Sequence, residues 1–146
     1  MTPGFPFERV GIVGLGLMGG SHARAMRVLD DAPYVVAFNR HREEAERALA
    51  DGVIDAVAAS AEEAIEGQDL VVYATPLDVA REMMREHAVR WGNATVTDVV
   101  GLKEALMQEA RELGCASQFV GSHPLAGGTD TGYQASAEDL FSGETV

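Results

Sequence analysis

Two segments of this chain combine residue types that do chemistry. Gly14-Leu15-Gly16-Leu17-Met18-Gly19 has the spacing of a cradle for a dinucleotide pyrophosphate. The first glycine permits a tight turn, the second lets a phosphate approach the backbone, and the third allows a helix to pack closely on a strand. Far along the chain stands His123-Pro124-Leu125-Ala126-Gly127-Gly128. An imidazole titrates near neutrality, so His123 can take a proton from a hydroxyl while hydride leaves the same carbon for a nicotinamide; the competing account, the commoner one for an isolated histidine, has it cap a loop through hydrogen bonds. Pro124 pushes His123 toward extended backbone, which suits the carboxyl edge of a sheet, where open α/β folds bind ligands.

The elements between these segments must bring them to one edge. Short apolar runs alternate with helical patterns from Val10 onward, the signature of a parallel sheet with crossover helices. Expected strands are Val10 to Val13, Tyr34 to Phe38, Ile54 to Ala58, Leu70 to Ala74, Thr95 to Val99 and a last one around Phe119-Val120. Tyr34 to Phe38 is apolar without alternation, as befits a strand covered on both faces. Expected helices run over Met18 to Leu29, Arg42 to Ala50, Ala61 to Glu66, Leu77 to Val89 and Leu102 to Leu113, with Ser60 and Glu63 as a capping box and Gly114 as a stop. The fold class is therefore α/β: a Rossmann-type doubly wound, mostly parallel sheet with helices on both faces, in one dinucleotide-binding domain over residues 1–146.

Whether the dinucleotide carries a 2′-phosphate is decided after the second strand, where an acidic residue would bond the ribose hydroxyl of NAD. Here Phe38 is followed by Asn39-Arg40-His41-Arg42, with no carboxylate until Glu43. Asn39 is neutral, and Arg40 and Arg42 offer guanidinium forks to a phosphate. NADP is the expected cofactor, NAD the alternative; the competing account pairs the arginines with nearby glutamates. Expected cofactor contacts are Gly14, Leu15, Gly16, Leu17, Met18, Gly19, Asn39, Arg40 and Arg42.

Composition narrows the partners. A net charge of -12 repels nucleic acid and anionic membrane, and no apolar run approaches the roughly 20 residues of a membrane span. A single cysteine, Cys115, makes no internal disulfide and fits a reducing, cytoplasmic location. A small anionic substrate must then be held by local features against an unfavourable field. His22, His41 and His87 show no sequence spacing of a metal site, so no metal is expected; Met83, Met84 and Trp91 read as core packing.

The chain resembles the prephenate and arogenate dehydrogenases of tyrosine biosynthesis. The matching stretches are Gly14 to Ser21, Gly52-Val-Ile-Asp55, Asp69-Leu-Val-Val-Tyr-Ala-Thr-Pro76, Thr97-Asp98-Val-Val-Gly-Leu-Lys103, Gly121-Ser-His-Pro-Leu-Ala-Gly127 and Asp139-Leu-Phe-Ser-Gly143, in family order. The resemblance implies that His123 is the catalytic histidine, assisting hydride removal from the carbon that bears the ring hydroxyl, after which carbon dioxide is lost. It also implies that Ala74, Thr75 and Pro76 line the cofactor cleft. Asp98, Gly101, Lys103, Gly128 and Thr129 are the candidate substrate residues, although an Asp at a strand end and a Lys in a first helical turn are as often structural. Gly101 stands where the family usually has a serine, and Gly128-Thr129-Asp130 where it often has Ser or Thr and then Glu. The family's C-terminal helical domain, which carries homodimer contacts and a substrate-binding arginine, is expected to lie beyond this chain. Two alternatives stay open: a module that holds NADP without turnover, and a reductase of the β-hydroxyacid dehydrogenase type with a lysine on a later helix.

Overall fold

In the computed structural model, which describes residues 5–99, 103–114 and 117–121, six strands form one sheet. They are β1 (Arg9–Val13), β2 (Tyr34–Phe38), β3 (Ala56–Val57), β4 (Leu70–Tyr73), β5 (Thr95–Asp98) and β6 (Phe119–Gly121). The order is β3-β2-β1-β4-β5-β6 and every pairing is parallel. Winding runs outward from β1 in one direction and from β4 in the other, so the two halves part between those strands. A crevice at that switch point is where such sheets bind ligands.

Five helices cover the sheet: α1 (Leu17–Arg27), α2 (Arg42–Ala50), α3 (Ala61–Ile65), α4 (Leu77–His87) and α5 (Lys103–Glu112). Ala23 and Met26 of α1 and Ala45 and Ala48 of α2 share one core with Val10, Ile12, Val35, Ala37 and Val72. Ala61, Ala64 and Ile65 of α3, Ala80 and Met84 of α4 and Ala110 of α5 share the other with Val13, Val36, Val71, Tyr73 and Val96. Alternate residues of each central strand thus feed opposite cores. This is the doubly wound arrangement expected from unbroken apolar strands. Across the seam of α4 and α5, buried Glu109 accepts hydrogen bonds from Arg85 and lies 3.7 Å from Arg81.

Most boundaries shift by one or two residues from the sequence expectation, and two of the shifts have a clear physical cause. The third strand pairs only over Ala56–Val57 because it is the sheet's edge, although Asp55 N–H to Val35 O and Ala58 N–H to Ala37 O, both 2.8 Å, extend its alignment. The fourth helix ends at His87 and tightens into a 3-10 turn over Ala88–Arg90, which leaves Val89 exposed and carries Trp91 into the core. At α3 the capping is as expected on one side: Ser60 Oγ accepts from Glu63 N–H at 3.1 Å. The Glu63 carboxylate reaches one residue further back than a capping box requires, to Ala59 N–H at 2.7 Å.

Register finishes the positioning. Phe38, Val13, Tyr73, Asp98 and Gly121 lie side by side across five strands. The segments after those residues therefore leave from one edge, which brings Gly14, Asn39, Ala74 and Val99 together.

Candidate dinucleotide-binding site

The glycine turn lies between β1 and α1. Gly14 has φ +100, and a Cβ there would stand 2.5 Å from Ala74 O. Only glycine suits both demands. A Cβ on Gly19 would stand 1.9 Å from Gly14 O and 3.0 Å from Ala74 Cβ, so α1 is seated against the turn itself and the start of the β4–α4 loop. Gly16 is different: a Cβ there meets nothing within 4 Å. Its lack of a side chain serves no packing need and leaves open space at the head of α1.

That helix end is prepared for an anion. First-turn N–H groups have no intrahelical acceptor and carry the positive end of the helix dipole. Helices α2, α3 and α4 each place an acidic residue in the first turn, Glu43 and Glu44, Glu62 and Glu63, and Asp78, whereas α1 has none and Gly16 offers no capping side chain. In a chain of net charge -12, the end of α1 beside the crevice is left clear for a phosphate.

Across the crevice, Ala74 N–H donates to Val13 O at 2.8 Å and holds the β4–α4 loop beside the glycine turn. Thr75 Oγ1 is buried there with no hydrogen-bond partner among the described residues. A buried hydroxyl of that kind costs free energy unless a ligand group meets it. Pro76 caps α4. The cleft thus has a clear helix end on one wall and an unsatisfied hydroxyl on the other. These features fit a dinucleotide.

Asn39 braces the site. Its Oδ1 accepts from Leu15 N–H at 2.9 Å, and its Nδ2 donates to His41 O at 2.9 Å and to Glu44 Oε2 at 2.8 Å. Both amide hydrogens are spent within the protein, so the side chain fastens the glycine turn to the head of α2. Arg42 is exposed and pairs with Glu46 at 3.1 Å, as the competing account held. Arg40 is exposed and makes no ion pair with a described residue. The missed residue is Glu44, which one helical turn folds back to the tip of β2. Its signal was only its place in the first turn of α2.

Of the substrate candidates, Asp98 is fully buried at the carboxyl end of β5, in register with Tyr73 and Gly121, and Lys103 opens α5. His123, Gly101, Gly128 and Thr129 lie outside the described residues. The sequence spacing around His87 suggested no metal site; in the structure α3 and α4 bring Glu62 and Glu86 beside it. Met84 and Trp91 are buried as expected. Among the described residues, no helix is long and apolar enough to cross a membrane.

Residues 22–146 match the family described as prephenate dehydrogenase, nucleotide-binding domain. A prephenate dehydrogenase of Bacillus subtilis is 34% identical over 133 residues, covering 89% of this chain and 36% of that protein. The crystal structure of the Aquifex aeolicus prephenate dehydrogenase in complex with hydroxyphenyl propionate and NAD+ superposes with a TM-score of 0.86 at 28% identity, over 97% of this chain and 50% of that one. Synechocystis arogenate dehydrogenase gives 0.83 at 27% identity, over 93% and 48%. The chain spans about a third of the length of the curated relatives it matches.

Proposed function

The chain belongs to the prephenate dehydrogenase family, in the part described as its nucleotide-binding domain, and on that premise we propose that it is the cofactor-binding unit of an NADP-dependent prephenate or arogenate dehydrogenase. The open cradle at Gly16, facing a helix end without acidic residues, carries this reading. First-turn N–H groups of α1 take the pyrophosphate, and Thr75 Oγ1 meets a polar group of the ligand. A nicotinamide bound there supplies the hydride acceptor. His123 takes the proton of the substrate hydroxyl as hydride leaves that carbon, and loss of carbon dioxide yields an aromatic ring. Asp98, Gly101, Lys103, Gly128 and Thr129 are the substrate-binding candidates in this proposal. The relatives' greater length is consistent with a remaining wall and dimer contacts supplied elsewhere, and the setting proposed is the cytoplasm.

His123→Asn tests the chemistry. Reduction of NADP is followed with prephenate, with arogenate and with neither, beside calorimetric binding of NADP. The substitution is expected to leave binding intact and to lower turnover by about 10²–10⁴-fold. Unchanged turnover would remove His123 from the mechanism. Intact binding with no turnover in the parent chain would favour the module that holds NADP without reaction.

Cofactor choice rests on Arg40, the exposed guanidinium at the tip of β2 that makes no ion pair with a described residue. A second reading has a specific observation behind it: Glu44, held at 2.8 Å by Asn39, is placed to accept from a ribose hydroxyl and so to favour NAD. Titration is expected to show NADP binding tighter than NAD, with Arg40→Ala losing about ten-fold for NADP alone. Equal or reversed affinities in the parent would overturn the NADP preference and assign the 2′ position to Glu44.

A further inference from the structure

On the α3–α4 side of the sheet, away from the glycine turn, three ligating groups converge. One donor atom each from Glu62, Glu86 and His87 lies within 4.8 Å of the others. His87 is almost fully buried, with its Nε2 3.2 Å from Glu62 Oε1 and its Nδ1 3.1 Å from Tyr73 Oη. Tyr73 Oη also accepts from Trp91 Nε1–H at 2.9 Å. The carboxylates are at the surface, Glu62 with 42% of its side chain exposed. The contact with His87 accounts for Glu62, but Glu86 makes no hydrogen bond or ion pair with a described residue. Two carboxylates gathered beside one imidazole repel each other, and a cation between them would turn that repulsion into attraction.

We infer that Glu62, Glu86 and His87 form a binding site for a zinc-class divalent ion that pins α3 to α4. One imidazole nitrogen and two carboxylate oxygens suit zinc, whereas magnesium and calcium prefer oxygen alone. Donors about 2 Å from the ion lie at most about 4 Å apart, so the carboxylates close by about 1 Å while the buried ring stays put. Ligation at Nε2 displaces its proton and places the ring hydrogen on Nδ1, where it donates to Tyr73 Oη. This is the outer hydrogen bond that orients metal-binding histidines. The proton thus changes ring nitrogen without altering the charge of the imidazole. Trp91, the single tryptophan of the chain, bonds the same oxygen and reports the change.

Equilibrium dialysis of the tag-free chain against zinc chloride, with Trp91 fluorescence read in parallel, tests the site. One zinc per chain is expected, retained against a large excess of magnesium, with a saturable change in Trp91 emission. Glu86→Gln is expected to weaken binding about ten-fold, and Glu62→Gln with Glu86→Gln to abolish it; both positions are exposed enough for the variants to fold. Zinc that binds the double variant as it binds the parent, or that is displaced by magnesium, would assign the uptake to the diffuse acidic surface and overturn the site. Absence of stoichiometric binding in the parent would overturn it as well.

Discussion

Gly16→Ala is expected to fold as stably as the parent chain and to bind dinucleotide about ten-fold to a hundred-fold more weakly, whereas Gly19→Ala and Gly11→Ala are expected to damage the fold itself. The reason lies in what a methyl group would meet. At Gly16 it meets nothing within 4 Å, so the polypeptide gives no resistance, but the space it enters is the approach to the first-turn N–H groups of α1. Lengthening one charge-assisted hydrogen bond costs about 1.5–3 kcal/mol, which sets the range of lost affinity. At Gly19 the methyl would stand 1.9 Å from Gly14 O, and at Gly11, in the central strand, 2.1 Å from Ala64 O of α3. Neither neighbour is a flexible side chain. The helix must lift from the strand, at about 3 kcal/mol or more. Urea unfolding followed by Trp91 fluorescence separates the cases, and calorimetry with NADP measures binding. Parent-like affinity in a folded Gly16→Ala would show that the pyrophosphate does not sit at this turn.

What could be read from the sequence and what could not follows the range of the forces involved. The parallel sheet was legible because strands covered on both faces, such as Tyr34–Phe38 and Leu70–Tyr73, must be apolar without a break. The cap at Ser60 was legible because its partner is three residues away. The glycine turn was legible in part: Gly14, Gly16 and Gly19 stood out as a motif, but their separate burdens depend on Ala74 and on the seating of α1. Gly11 carried no signal, since its constraint comes from α3, brought over β1 by a crossover. The same holds for Asn39. Its neutrality suggested something about the ligand, while its actual partners are Leu15 in the glycine turn and Glu44 in α2. Glu62, Glu86 and His87 meet only because two helices pack side by side. Short-range rules find elements and caps, and side chains that join two elements need the fold.

Lowering the pH from about 6.5 to 4 is expected to cost the folded chain about 3 kcal/mol through His22 alone. This residue lies on α1, the helix that heads the cradle, and burial pushes its pKa from 6.5 down to about 4. The unfolded chain binds a proton at this histidine below about pH 6.5 and the folded chain does not until about pH 4, so falling pH favours unfolding throughout that window. About 2 kcal/mol of the loss is reached by pH 5. Carboxylates act lower down. Glu109, held below its ordinary range by the hydrogen bond from Arg85, supports the fold above the carboxylate range and loses that support only as pH falls through and below it. Asp55 behaves alike: burial raises its pKa, but hydrogen bonds from Arg27 and the Val35 N–H outweigh it. The interval from pH 6.5 to 5 therefore isolates the histidine. Urea midpoints measured across it should fall in the parent and stay nearly level in His22→Gln, whose amide fills similar space without taking a proton. An equal fall in both would place the acid sensitivity elsewhere. Because α1 also presents the N–H groups proposed to take the pyrophosphate, dinucleotide should raise the urea midpoint across the whole window, by an amount set by its concentration and affinity.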